Sequence, residues 1–111
     1  MLKKFITLDS GQRKEFKGGM LRDTDEDKPD YTLLYLPMVK RWAELMTRGA
    51  KKYGRGNWKK ASGEEELERF KGSALRHMYQ WLEGNIEEDH ASAILFNVSG
   101  AEYVSQKLNG K

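Results

Sequence analysis

The chain has 111 residues, 38% of them hydrophobic, and no cysteine; 20 Lys and Arg against 17 Asp and Glu leave a net charge of +3. That length holds one domain-sized core and not two, and the missing cysteines exclude a disulfide framework, a thiolate metal site and a thiol nucleophile. No apolar run approaches the ~20 residues of a membrane span, and the first nine residues lack the apolar stretch of a secretion signal, so a soluble cytoplasmic protein without a membrane partner is expected.

Residues 1–30 are polar. They contain Gly11, Gly18 and Gly19 and an acidic run from Asp23 to Asp27 before Pro29, and they read as an irregular, extended arm. Residues 31–111 read as a single helical domain, since no stretch sustains the period-two alternation of a strand. The first helix begins near Pro37 and carries Met38, Val39, Trp42, Leu45 and Met46 on one face. Gly49 is the expected cap, and the glycines and lysines after it argue against helix as far as Trp58.

Ser62 and Glu65 have the spacing of a capping box. The helix they open is expected over 64–83, with Leu67, Phe70, Ala74, Met78, Trp81 and Leu82 on one face and Gly84 as its stop. Asn85 is the natural N-cap of a third helix over 86–108. So short a break makes the pair an antiparallel hairpin. The fold class is all-α: a small bundle of three main helices with an N-terminal arm.

At 100° per residue, Ile86, Ala93, Ile94, Ala101, Val104 and Leu108 form the apolar arc of the third helix, yet His90 and Asn97 fall inside it and Asp89 sits at its rim. His77 lies at the border of the second helix's apolar face. Buried polar groups without partners cost roughly 1–3 kcal/mol each, so these four are expected to share one network. Such a network either fixes helix register or serves chemistry.

Charge is segregated along the chain. From Lys40 to Lys60 eight Lys or Arg face the single acid Glu44, whereas residues 83–89 carry Glu83, Glu87, Glu88 and Asp89 and no base. Glu83, Glu88 and Asp89 together would make an oxygen-rich pocket of the kind that takes Mg²⁺ or Mn²⁺. Lys51, Lys52 and Arg76 are candidate phosphate ligands. Tyr53, Asn57 and Trp58, interleaved with glycines, suit a base and sugar. An ordinary solvated loop is the bland alternative. A general nucleic-acid binder is disfavoured by the acidic corner.

Taken in order, Gly19-Met20-Leu21-Arg22-Asp23, Lys28-Pro29, Leu33-Leu34, Pro37, Gly49-Ala50-Lys51-Lys52-Tyr53, Asn57-Trp58, Ser73-Ala74-Leu75-Arg76-His77, Gly84, Glu88-Asp89-His90 and Asn97 resemble the dATP/dGTP diphosphohydrolase N-terminal family. These are small proteins common in bacteriophages and prophages, and the likeness covers roughly residues 17–105. It implies an all-α, metal-dependent hydrolase that splits a purine deoxynucleoside triphosphate into monophosphate and pyrophosphate, akin to the MazG-type pyrophosphohydrolases. It also implies a homo-oligomer, at least a dimer, in the host cytoplasm. On that reading Glu83, Glu88 and Asp89 hold Mg²⁺ or Mn²⁺, and His77, His90 and Asp89 are catalytic. Lys51, Lys52, Tyr53, Asn57, Trp58, Arg76 and Asn97 bind substrate. One departure stands out: Glu65-x-x-Glu68 matches the first MazG motif, but Ile86-Glu87-Glu88-Asp89 lacks the leading Glu of the second. The alternative is a phage protein that binds a nucleotide or a host protein without chemistry.

Overall fold

The computed structural model describes residues 5–24 and 27–110. Met1 to Lys4, Lys111, and Asp25 and Glu26 of the acidic run lie outside the described residues. The chain divides into two compact units, one up to Leu33 and one from Leu34 onward.

The first unit holds a small hairpin within the segment read as an irregular, extended arm. Strands β1 (Arg13–Glu15) and β2 (Leu21–Asp23) pair antiparallel, with Lys14 opposite Arg22. Phe16 N–H donates to Met20 O at 2.9 Å and Gly19 N–H to Phe16 O at 2.8 Å. Gly19 closes this loop at φ +87°, a conformation that side chains rarely adopt. Asp23 accepts from the backbone N–H of Ser10 at 2.9 Å and from its hydroxyl. Three-residue strands are too short to display a periodicity, so turn chemistry and side-chain ties specify them.

The second unit holds three helices: α1 (Leu36–Tyr53), α2 (Glu64–Leu82) and α3 (His90–Leu108). Two of the expected boundaries move because a competing cap wins. Helix α1 runs through Gly49 and ends at Gly54, which takes φ +95° and donates its N–H to Ala50 O at 2.9 Å. Lys51 and Lys52 thus lie in its last turn, where cations suit the helix dipole. The third helix starts not at 86 after Asn85 but at His90, capped by Asp89, whose carboxylate accepts from Ser92 N–H at 3.1 Å. Residues 83–89 are therefore a connecting loop, and Glu87 and Glu88 precede the helix instead of occupying its first turn.

The capping box also shifts by one residue. Glu66, not Glu65, reaches back, its Oε1 accepting from Ser62 N–H at 3.1 Å and Gly63 N–H at 3.0 Å. Gly63 at the N-cap has no side chain to reciprocate, so only that half of the box forms.

Helices α2 and α3 run antiparallel, as the opposed steps His77–His90, Phe70–Phe96 and Leu67–Val104 require. Their seam is small and polar. The buried residues of α3 are His90, Ser92, Ala93, Asn97, Gly100 and Val104, and buried apolar side chains in the described unit reduce to Ala61, Leu67, Ala93 and Val104. A Cβ at Gly100 would lie 2.5 Å from the Phe70 ring, so the glycine is what lets that ring reach α3. The expected apolar arc is partly wrong: Ile86 is 93% exposed because it lies in the loop, and Trp81, Leu82 and Leu108 are also exposed. No helix among the described residues is long and apolar enough to cross a membrane.

Gly100→Ala should lower stability by about 1–3 kcal/mol, because Phe70 must move out of a filled seam. Gly49→Ala should raise it by about 0.5–1 kcal/mol, since the glycine is helical and an added Cβ meets nothing within 4 Å. Urea unfolding followed by circular dichroism measures both.

Candidate functional site

The end of α1, the turn after it, and the facing ends of α2 and α3 enclose a cleft of about 1020 Å³. That volume lies at the upper end of small-molecule sites. Its lining includes the cations Arg48, Lys52, Arg55, Lys59 and Arg76, the acids Glu87, Glu88 and Asp89, and His77 and Asn97. Apolar surface comes from Leu45, Met46, Ala93 and Phe96, and aromatic surface from Tyr53 and Trp58.

The basic turn is anchored. Residues Asn57–Lys60 form a short 3-10 helix entered through Gly56 at φ +77°. Tyr103 OH donates to Lys59 O at 3.2 Å, and Lys107 Nζ donates to Lys59 O at 2.9 Å and Ala61 O at 3.2 Å. Trp58 packs edge-on to Tyr103 with ring centroids 5.0 Å apart, so part of its surface is committed to holding the turn on α3. Tyr53 remains 60% exposed.

Opposite these cations two imidazoles meet in the seam. His77 and His90 are 7% and 2% exposed, and their Nδ1 atoms lie 2.9 Å apart. His90 Nε2 lies 2.7 Å from Glu87 Oε1. An ionised carboxylate only accepts, so Glu87 selects the tautomer of His90 with its proton on Nε2. His90 Nδ1 then carries a lone pair, and His77 Nδ1–H donates to it. Burial, aided by the neighbouring Arg76 charge, pulls the His77 pKa below its ordinary value, which keeps it neutral at pH 7. The Glu87 carboxyl is held below the usual range by its own backbone N–H and by His90.

The expected four-member network is therefore divided. Asn97 donates its side-chain N–H to Ala93 O at 2.8 Å within its own helix. Asp89 turns to α1: Arg41 Nε and Nη2 donate to its two oxygens at 2.9 and 2.6 Å. With Ser92 N–H also bound, both carboxylate oxygens are occupied, and Arg41 holds the Asp89 pKa far below the ordinary carboxylate value. In this geometry Asp89 joins two helices at the wall of the cleft.

Glu83, exposed at the end of α2, is not part of the cleft, and Lys51 also lies outside its lining. His90 sits behind His77. Glu88, Asp89, Lys52, Tyr53, Asn57, Trp58, Arg76, His77 and Asn97 do line the cleft. Sequence reasoning missed Glu87 and Arg41 as partners. Glu87 had a usable signal, three residues before a histidine, obscured by the misplaced helix start. Arg41 had none, since its partner is 48 residues away.

Asp89→Ala should cost about 2 kcal/mol, the sum of a lost N-cap and a partly exposed ion pair. Asp89→Asn keeps the cap and should cost about half as much or less. Equal losses in urea unfolding would show that the cap contributes nothing.

A model of the family described as dATP/dGTP diphosphohydrolase, N-terminal, matches residues 19–107, so the chain belongs to that family. No curated protein and no solved structure matches it.

Proposed function

We propose that this family member hydrolyses a purine deoxynucleoside triphosphate between its α- and β-phosphates, releasing the monophosphate and pyrophosphate. The observation that carries the reading is a single cleft lined both by Lys52, Arg55, Lys59 and Arg76 and by His77 and Glu88. Guanidinium forks and ammonium groups match phosphate oxygens, while Tyr53, Asn57 and Asn97 are placed for the base and sugar.

Phosphoryl transfer asks a protein mainly for positioning and charge stabilisation. Arg55, Lys52 and Arg76 hold the triphosphate and neutralise the charge that grows on the leaving pyrophosphate. A water enters in line from the side of His77 and Glu88. Its oxygen bonds to the α-phosphorus, the bridging bond to pyrophosphate breaks, and its proton passes by way of the exposed Glu88 carboxylate to solvent. A divalent ion would supply a water of lowered pKa and offset phosphate charge. The all-carboxylate set of Glu83, Glu88 and Asp89 does not fit such an ion, because Glu83 lies outside the cleft and Asp89 is held by Arg41. No step is assigned to that set.

A homodimer belongs to the same proposal. Leu75, Met78, Tyr79 and Leu82 form an exposed stripe on α2, with Trp81 beside it. A buried core limited to Ala61, Leu67, Ala93 and Val104 is small for a domain of this size. A second copy of the chain covering the stripe would complete it.

Incubation with each deoxynucleoside triphosphate and Mg²⁺, Mn²⁺ or Co²⁺ should release pyrophosphate fastest from a purine substrate. Arg76→Ala should lower kcat/KM by about 10- to 100-fold, the loss of one charge-assisted contact. Tight nucleotide binding with no pyrophosphate would replace the enzyme with the non-catalytic binding protein, and salt-sensitive binding to oligonucleotides would replace both. Light scattering should give twice the chain mass, reduced to a monomer by Leu82→Glu.

A further inference from the structure

We propose that His77, His90 and Glu88 form a divalent-metal site whose ligands are the two imidazole Nδ1 atoms and a Glu88 oxygen, that Glu87 holds His90 in the ligating tautomer, and that the site selects an imidazole-seeking ion such as Zn²⁺ or Co²⁺ over Mg²⁺. The inference rests on the cleft taken above as the active site but not on the reaction assigned to it.

Four features converge on one point. One ligand atom from each of His77, Glu88 and His90 lies within 4.8 Å of the others. The Nδ1 atoms are 2.9 Å apart, about half an ångström under the ~3.4 Å that separates neighbouring ligands of a tetrahedral ion with bonds of about 2.1 Å. Both rings are buried, at 7% and 2% exposure, so packing already brings the two nitrogens together before any ion arrives. Glu87 accepts from the far nitrogen of His90 at 2.7 Å, the arrangement in which a carboxylate orients a ligating histidine from behind.

Glu88 is exposed and its pairing is not fixed by the seam, so it can swing to close the set. Entry of an ion requires that His77 exchange tautomer, its proton moving from Nδ1 to Nε2, and that the two rings turn from facing each other toward the ion. The cation would sit beside the line joining the two nitrogens, 2.9 Å apart, on the side of the cleft, each ring tilting slightly toward it. Two nitrogen donors and one oxygen donor favour ions late in the first transition row. Mg²⁺, which prefers oxygen and retains its waters, is poorly matched.

The full chain, freed of metal with a chelator, is titrated calorimetrically with Zn²⁺, Co²⁺ and Mg²⁺, and the Co²⁺ form is read by visible absorption. Expected are one Zn²⁺ or Co²⁺ per chain, affinity at least about 100-fold above that for Mg²⁺, and d–d bands that vanish in His77→Gln and His90→Gln. Because those variants alter a buried seam, Glu87→Gln and Glu88→Gln are the decisive pair, both groups being exposed. Each should keep its circular dichroism spectrum and lose about 10- to 100-fold in Zn²⁺ affinity. Wild-type affinity in both variants, or Mg²⁺ binding as tight as Zn²⁺, overturns the site. Zn²⁺ binding as stated with no turnover of any nucleotide sinks the hydrolase and leaves the site standing; nucleotide hydrolysis with no Zn²⁺ or Co²⁺ binding does the reverse.

Discussion

The pair between Arg41 and Asp89 determines how the helical unit is put together. It spans 48 residues, makes two hydrogen bonds of 2.9 and 2.6 Å, and leaves Asp89 able to cap α3 through Ser92. Arg41 remains about half exposed, so the pair contributes little net energy. Its importance is positional. It ties α1 to the beginning of α3, and α1 ends in the basic turn, while α3 begins at His90. This ion pair, together with the Tyr103 and Lys107 anchors on the basic turn, sets the distance between the cationic and imidazole sides of the cleft.

The seam beneath that cleft is unusual in what it buries. His77, His90, Ser92 and Asn97 lie as deep as Leu67 and Val104. Polar groups so placed are retained at a cost unless every partner is found, and here each finds one: His90 between Glu87 and His77, Ser92 on Asp89 O, Asn97 on Ala93 O. The His77–His90 contact, which alone of these crosses from α2 to α3, favours one register, whereas apolar surfaces alone would allow a slide. Gly100 makes the same demand sterically through Phe70. Register and site geometry are thus consequences of the same residues.

How much of this could be read from the chain depended on range. The helical class, the inward placement of His77, His90 and Asn97, and the shared lining of Lys52, Arg76 and Glu88 follow from periodicity and local charge. Helix ends did not, because Gly49 and Gly54, Ser62 and Gly63, and Asn85 and Asp89 are rival caps of similar quality. A tertiary partner decided one of them, Arg41 favouring Asp89, and a local one decided another, Glu66 favouring Gly63. The error at Asn85 propagated, since it placed Glu87 in a helix and hid its contact with His90. The hairpin escaped notice because each strand is only three residues long.

The carbonyl anchors of Lys107 and the Tyr103 hydroxyl on the basic turn have an electrostatic corollary. Lys52, Arg55 and Lys59 are kept near one another by backbone fixed at both Gly54 and Gly56, and like charges so confined repel. A polyanion arriving among them would relieve that repulsion as well as make contacts, while little chain entropy remains to be lost on its arrival. Saturation with such an anion would for this reason be coupled to melting of the chain and would raise its resistance to heat.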